Sequence, residues 1–182
     1  MRVVFFGLFT PLQGATVVGE AIGCLAGSPG IEFTMIGTGQ DYPACRQLAG
    51  GNARVTWRDW VDADLLPAMV ADHDVCLGIF GTTPKAMRVV PNKVYQGAAA
   101  GCAVVTSDTP PQRRALGEAA LFVEGGSAAA LVEALQALAA DRTRAASLQQ
   151  AARQRSSQCF TPEVIVRPLR RALAARLESA GR

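Results

Sequence analysis

Six short apolar runs, separated by longer amphipathic segments, dominate the chain between residues 2 and 139. The runs are rich in Val, Ile, Leu and Phe and do not alternate with polar residues, as is typical of strands buried on both faces of a parallel sheet. Strands that alternate with helices predict an α/β fold with helices on both faces. The predicted strands are Arg2–Gly7, Glu32–Gly37, Ala53–Trp57, Asp74–Ile79, Cys102–Thr106 and Ala120–Val123.

Glycine and proline residues mark where the intervening helices end, as at 27–30 and at Gly50-Gly51. Ser127 offers an N-cap for a later helix. We therefore predict a doubly wound, Rossmann-like sheet of six strands over residues 1–141, followed by C-terminal closing helices over 142–182 that break near Thr161-Pro162. The predicted helices of the first part are Gln13–Ala26, Gln40–Ala49, Asp64–Asp72, Asn92–Ala100, Pro111–Leu116 and Ser127–Ala139.

The charge is unevenly distributed along the 182 residues, although the net charge is only +3. Residues 1–141 carry nine bases against thirteen acids, whereas residues 142–182 carry nine arginines against two glutamates. A basic stretch of this kind indicates either an anionic partner or the solvated face of a long helix, and we favour the helix. The hydrophobic content of 49% is enough for one packed domain and argues against global disorder.

Several function classes are disfavoured by what the sequence lacks. The apolar run after Met1 breaks at Gly7 and is too short for a signal peptide or a membrane span. The five cysteines form no C-x-x-C pair and there is a single histidine, so we expect reduced thiols in a cytoplasmic protein, no metal site and no cofactor. That histidine, His73, precedes the fourth strand and is expected to be a surface or capping residue.

In a parallel sheet, ligands bind beyond the carboxyl ends of the strands, so the loops at that edge carry the functional prediction. The loop Gly7–Gly14 leads into a helix N-terminus, where free N–H groups favour a phosphate. The loop has neither the G-x-G-x-x-G pattern nor the P-loop pattern, so the sequence favours neither a nicotinamide-dinucleotide site nor a P-loop. The turn Gly37–Gly39 follows the second strand and can also let a ligand approach the backbone. Structural turn glycines remain the alternative for both loops.

The segment Phe80–Gln96 is the most unusual loop, because it is longer than most connections and gathers positive charge. Lys85, Arg88 and Lys93 are three of the nine bases in the first 141 residues. Such a cluster can neutralise a diphosphate. The alternative is a solvated loop with unrelated charges, and we favour the diphosphate.

Together these features resemble the C-terminal, nucleotide-sugar-binding half of a group 1 glycosyltransferase, a retaining family with the GT-B fold. The resemblance covers about residues 2–141, and the spacing of the whole set is more specific than any one motif. It rests on Gly7 and Gly14, on Gly37 and Gly39, on the strand segment Val55–Val61, on QGAAAGCAVV over Gln96–Val105, and on Leu121–Gly125.

Five positions depart from the family pattern, and one of them is Asp59, which stands in place of a glycine in the strand segment Val55–Val61. Leu8 and Gln13 stand where the family usually offers an Arg and a Lys to the diphosphate, and Arg88 and Gln96 stand where it has two Glu eight positions apart. Gln96 can still hydrogen-bond a ribose hydroxyl. The chain is then either a divergent member whose diphosphate cations are Lys85, Arg88 and Lys93, or one that has lost donor binding. We favour the divergent member.

The resemblance implies transfer of a sugar, with retention and without a metal, from a nucleotide-diphosphate sugar to a glycan, lipid or small-molecule acceptor. It places the base near Gly37–Gly39 and Trp60-Val61, the ribose near Gln96 and the sugar under Phe80–Thr83. Acceptor-side catalytic residues are expected on an N-terminal domain, so this piece alone is expected to be inactive and its catalytic residues are unknown. The implied donor-binding set is Gly7, Thr10, Gly14, Gly37, Gly39, Trp60, Val61, Phe80, Gly81, Lys85, Arg88, Asn92, Lys93 and Gln96.

Two other functions stay open: a non-catalytic nucleotide-binding or regulatory module, and another GT-B-like enzyme such as a nucleotide-sugar 2-epimerase. In the C-terminal tail, Leu169, Leu173 and Leu177 form an apolar stripe beside several arginines. We expect this stripe to pack against the N-terminal domain, with peripheral contact to an anionic membrane at its inner face as a second interpretation. Nucleic acid is not expected as a partner, because no aromatic stacking platform accompanies the arginines.

Overall fold

The computed structural model describes residues 1–180 as a six-stranded parallel sheet with helices on both faces. The strand order is β3-β2-β1-β4-β5-β6, and every neighbouring pair runs parallel. The predicted Rossmann-like fold class is confirmed. The strands are β1 Arg2–Phe6, β2 Glu32–Ile36, β3 Val55–Arg58, β4 Val75–Leu77, β5 Ala103–Ser107 and β6 Ala120–Val123.

Each predicted helix is present, with ends that differ from the prediction by a few residues. The loop predicted between residues 81 and 90 contains one short 3₁₀ turn, Ala86–Arg88. The C-terminal segment forms two helices that break at Thr161, as predicted. The helices are α1 Ala15–Cys24, α2 Tyr42–Leu48, α3 Leu66–Ala71, α4 Asn92–Ala100, α5 Pro110–Leu116, α6 Ala128–Ala140, α7 Arg142–Cys159 and α8 Pro162–Ala180.

Strand β1 lies at the centre of the core and is buried on both faces. Phe5 belongs to the cluster beneath α1, α2 and α6, whereas Val4 belongs to the cluster beneath α3. Both side chains are 0% exposed. Burial on both faces explains why the strand is continuously apolar and does not alternate between apolar and polar residues.

The N-cap of α6 gives a direct test of a sequence prediction. The Ser127 hydroxyl oxygen accepts a hydrogen bond from the Ala130 N–H at 3.1 Å. Ser127→Ala should therefore lower the free energy of unfolding by about 1 kcal/mol in urea denaturation. The matched control is Ser147→Ala, because the exposed Ser147 hydroxyl only donates to the Thr143 carbonyl within α7. Equal effects of the two substitutions would show that the cap contributes nothing.

Helix α8 extends from the domain with almost all of its described side chains in solvent. Ile165, Leu169 and Leu173 are each more than half exposed, at 62%, 61% and 54%. They form one apolar stripe with Leu177 at intervals of four residues, beside Arg167, Arg170 and Arg171. Within residues 1–180, no helix has the length and apolar character needed to cross a bilayer.

Candidate functional site

The candidate site lies where the strand order reverses. Strand β1 pairs with β2 on one side and with β4 on the other, so the connection after β1 leads one way along the sheet and the connection after β4 leads the opposite way. Open α/β sheets bind their ligands at this switch point. A cavity of about 770 Å³ opens there, between the β1–α1 loop and the segment that leads into α4.

Six of the predicted donor-binding residues line this cavity. No carboxylate is among the residues that line it, so its charged groups are all positive. The lining also includes Leu8 and Gln13, which stand where the family pattern has an Arg and a Lys. The six predicted residues are Gly7, Thr10, Lys85, Asn92, Lys93 and Gln96.

Lys93 is the most unusual residue of the cavity. It lies in the first turn of α4 and is only 5% exposed. Its Nζ sits 3.6 Å from the centroid of the Phe5 ring and has no hydrogen-bond partner among the described residues. Burial disfavours the charged form and lowers the pKa of this amine to about 7.

The other two cations of the predicted cluster are placed differently. Lys85 is exposed at the rim of the cavity, and Arg88 is an exposed residue at the end of the 3₁₀ turn that does not line the cavity. The three bases therefore do not form one group, and Lys93 and Lys85 are the two that face the cavity.

A second, mainly apolar cavity of about 320 Å³ adjoins the first, since Phe6, Gly7 and Leu8 line both. Among the predicted residues, Gly37, Trp60 and Val61 line it. The Trp60 side chain is 80% exposed at its edge. Asp59 also lines it and accepts a 2.9 Å hydrogen bond from the Tyr42 hydroxyl.

Three predicted glycines shape the loops rather than line the larger cavity. A Cβ on Gly14 would lie 2.6 Å from the Phe80 carbonyl carbon, and one on Gly37 would collide with the Gly7 carbonyl oxygen. A Cβ on Gly39 would meet the Phe9 backbone. All three have positive φ, so glycine is required both by conformation and by the close approach of the loops.

Phe80 and Gly81 are buried below the site and line neither cavity. The Phe80 N–H donates to the Gln13 carbonyl at 3.1 Å, which joins the loop after β4 to the β1–α1 loop.

His73 lies at the amino edge of the sheet, away from both cavities. Its ring bonds the Met69 carbonyl near the end of α3 and the Thr34 hydroxyl, each at 2.8 Å, and burial lowers its pKa.

The side-chain oxygen of Gln13 is a site group that was not among the predicted ones. This Oε1 is buried without a hydrogen-bond partner among the described residues, and Gln13 lines the larger cavity. The sequence signal for this group is the position of Gln13 directly before Gly14, because Gly14 is the N-cap residue of α1. By comparison with the family pattern, the same position stands out only for its missing positive charge.

The family model described as "Glycosyl transferases group 1" matches residues 1–141 of the chain. The chain belongs to the group 1 glycosyltransferases. The resemblance that the motifs predicted is therefore confirmed at the level of the family. None of the curated protein sequences compared with this glycosyltransferase chain matches it.

Solved structures of glycosyltransferases share the fold. The C-terminal domain of LpcC, a group 1 family protein from Francisella tularensis, is 17% identical, with a TM-score of 0.75 over 88% of this chain and 86% of that one. Sucrose-phosphate synthase from Thermosynechococcus elongatus is 22% identical, with a TM-score of 0.77 over 100% of this chain and 46% of that one.

The Anabaena protein HepE, solved in complex with UDP, is 19% identical, with a TM-score of 0.79 over 96% of this chain and 48% of that one. This glycosyltransferase chain thus spans about half the length of the synthase and of HepE.

Proposed function

We propose that this chain is the donor-binding half of a glycosyltransferase that transfers a sugar from a nucleotide-diphosphate sugar. The observation that carries the proposal is the buried, unpartnered amine of Lys93, which faces a cavity at the sheet's switch point that no carboxylate lines. HepE, which shares the fold, has been solved with UDP and with UDP-glucose. Retention of configuration and independence from metals and cofactors follow from the family resemblance and are part of the proposal.

The two adjoining cavities suggest how the donor lies. The base would occupy the apolar cavity beside Trp60 and Val61, and the ribose would meet the Gln96 amide. The diphosphate would lie over Lys93, with Lys85 at the rim. Because Gln13 Oε1 has no partner in the described part of the chain, it would accept a hydrogen bond from a hydroxyl of the donor sugar.

Transfer requires the diphosphate to leave with its negative charge stabilised. Lys93 would supply that charge from a site already desolvated, where electrostatic interactions are stronger than in water. The attacking acceptor and the residues that activate it would belong to an N-terminal domain. We accordingly expect the chain alone to bind donor without turning it over.

Titration with UDP tests the proposal. The wild-type chain should bind UDP, and the double variant Lys85→Ala/Lys93→Ala should bind it at least about tenfold more weakly, since each charged hydrogen bond contributes roughly 1.5–3 kcal/mol. Arg144→Ala removes an exposed charge on α7 and should leave the affinity unchanged. Equal affinity of the wild type and the double variant would contradict the role of these lysines.

The apolar Leu8 at the cavity favours a second candidate, a non-catalytic nucleotide-binding module. Such a module would bind nucleotide yet remain inactive when joined to an N-terminal domain. Sugar transfer by the joined protein would exclude it.

For the exposed stripe of α8 we propose the N-terminal domain as the partner, with an anionic membrane surface as the alternative. Sedimentation with phosphatidylserine vesicles distinguishes them, because only the membrane interpretation predicts binding by the chain alone. The five cysteines are free, which supports a reducing, cytoplasmic location.

A further inference from the structure

The amine of Lys93 lies at a cavity whose charged lining residues are both lysines, which suits an anion. On one side lies the Phe5 ring, whose side chain is 0% exposed. On the other lies Gly7, whose hypothetical Cβ would be 3.7 Å from Nζ. The amine has no hydrogen-bond partner within residues 1–180, although an ammonium carries three donors.

No acidic side chain faces this amine from the elements packed around it. Strand β1 and its loop contribute no titratable residue between Phe5 and Gly14, and neither does α3. Strand β4 contributes the Cys76 thiol, which burial keeps protonated by raising its pKa. Three other charges on the surrounding elements are positive: Lys85 at the rim, Arg88 in the 3₁₀ turn, and Arg153 of α7 beside Gly101 at the far end of α4. The carboxylate of Asp59 lines the adjoining apolar cavity and not the cavity of Lys93.

We propose that the donor site takes up a proton when it binds a diphosphate, because the buried amine of Lys93 has no acidic group or hydrogen-bond partner among the described residues and is held as an ammonium ion only by the phosphate oxygens. The proton comes from solvent and adds to the lone pair of Nζ, and no covalent bond of the donor changes. This inference rests on the proposed function, since it requires the diphosphate to lie over Lys93.

The geometry makes the proton necessary for tight binding. A neutral amine donates weakly, whereas an ammonium ion forms short, charge-assisted hydrogen bonds to phosphate. With the amine's pKa at about 7 in the empty site, protonation is nearly complete one unit below that value and about one-tenth complete one unit above it. Affinity for the diphosphate should therefore fall about tenfold between about pH 6 and about pH 8.

The experiment is isothermal titration calorimetry with UDP-glucose at several pH values, each in two buffers of different ionisation enthalpy. UDP-glucose is preferred to UDP, because its diphosphate is esterified at both ends and has no group that titrates near neutral pH. The dependence of the measured enthalpy on the buffer gives the number of protons taken up. We expect nearly one proton per donor at about pH 8 and almost none at about pH 6.

Two variants locate the proton. Lys93→Met should bind more weakly at acidic pH and should show neither the proton uptake nor the pH dependence. Lys85→Met, which removes the exposed lysine at the rim of the same cavity, should weaken binding but keep the proton uptake. Thermal unfolding of both variants without ligand verifies that they are folded.

The outcomes separate the inference from the function on which it rests. Binding of UDP-glucose with equal affinity at all pH values and without proton uptake would overturn the inference and leave the proposed function standing. Proton uptake that persists in Lys93→Met would also overturn it, because another group would then be titrating. A wild-type chain that binds UDP-glucose at no pH would overturn the proposed function itself.

Discussion

Replacing Lys93 by methionine should stabilise the empty domain by about 3 kcal/mol near pH 6. Burial lowers the pKa of this amine from its ordinary 10.5 to about 7, which corresponds to about 5 kcal/mol against the charged form. Methionine keeps the length of the side chain and needs no hydrogen bond, so it avoids the cost of burying this charge. The change of side-chain shape in a packed site takes back up to about 1.5 kcal/mol of the gain.

The stabilisation should depend on pH in a definite direction. Between about pH 7 and about pH 10.5 the unfolded chain holds a proton on Lys93 that the folded chain lacks, so the stability of the wild type rises with pH through that window. The advantage of Lys93→Met should therefore be largest below about pH 7 and smaller near pH 9. Urea denaturation of Lys93→Met and the wild type at about pH 6 and about pH 9 measures this difference in stability.

The matched control is Lys85→Met, because Lys85 lines the same cavity but is exposed. Lys85→Met should not raise the free energy of unfolding by a comparable amount at either pH. A Lys93→Met variant less stable than the wild type would mean that the amine has a partner in solution and that its burial is not unfavourable. Stabilisation with loss of binding would instead identify Lys93 as a residue kept for function.

How far the sequence predicts the structure depends on the range of the interactions involved. Strands such as β1 and β5 are predictable, because burial on both faces leaves a continuous apolar run in the sequence itself. Gly7 and Gly14 are predictable as loop ends for a similar reason, since positive φ selects glycine locally.

The environment of the loop cations was not predictable in this way. Lys85 and Lys93 carry the same charge in the same segment, yet one is exposed and the other lies on the Phe5 ring. The difference arises because α4 begins at Asn92 and directs Lys93 towards β1, a contact with a strand almost ninety residues away in the sequence. Phe80 shows the same limit: its position after β4 suggested a site residue, but packing between loops buries it.

Gly14→Ala is expected to lower the free energy of unfolding by about 3 kcal/mol. A left-handed conformation costs alanine about 1 kcal/mol. The new methyl would also lie 2.6 Å from both the Phe80 carbonyl carbon and the Gly81 nitrogen, and backbone atoms cannot turn aside as a side chain can. The β1–α1 loop would have to separate from the loop after β4.

Gly51→Ala separates these two effects. Gly51 has φ of +69°, close to the +67° of Gly14, but a Cβ there would meet nothing within 4 Å. Gly51→Ala should lower the free energy of unfolding only by the cost of a left-handed alanine, about 1 kcal/mol, and should keep the affinity for UDP-glucose. Gly14→Ala should lose affinity as well, since its loop carries Gly7 and Gln13 to the cavity. Equal losses of stability in the two variants would mean that the loops are not in close contact, and the glycine at the start of α1 would then serve only the local turn.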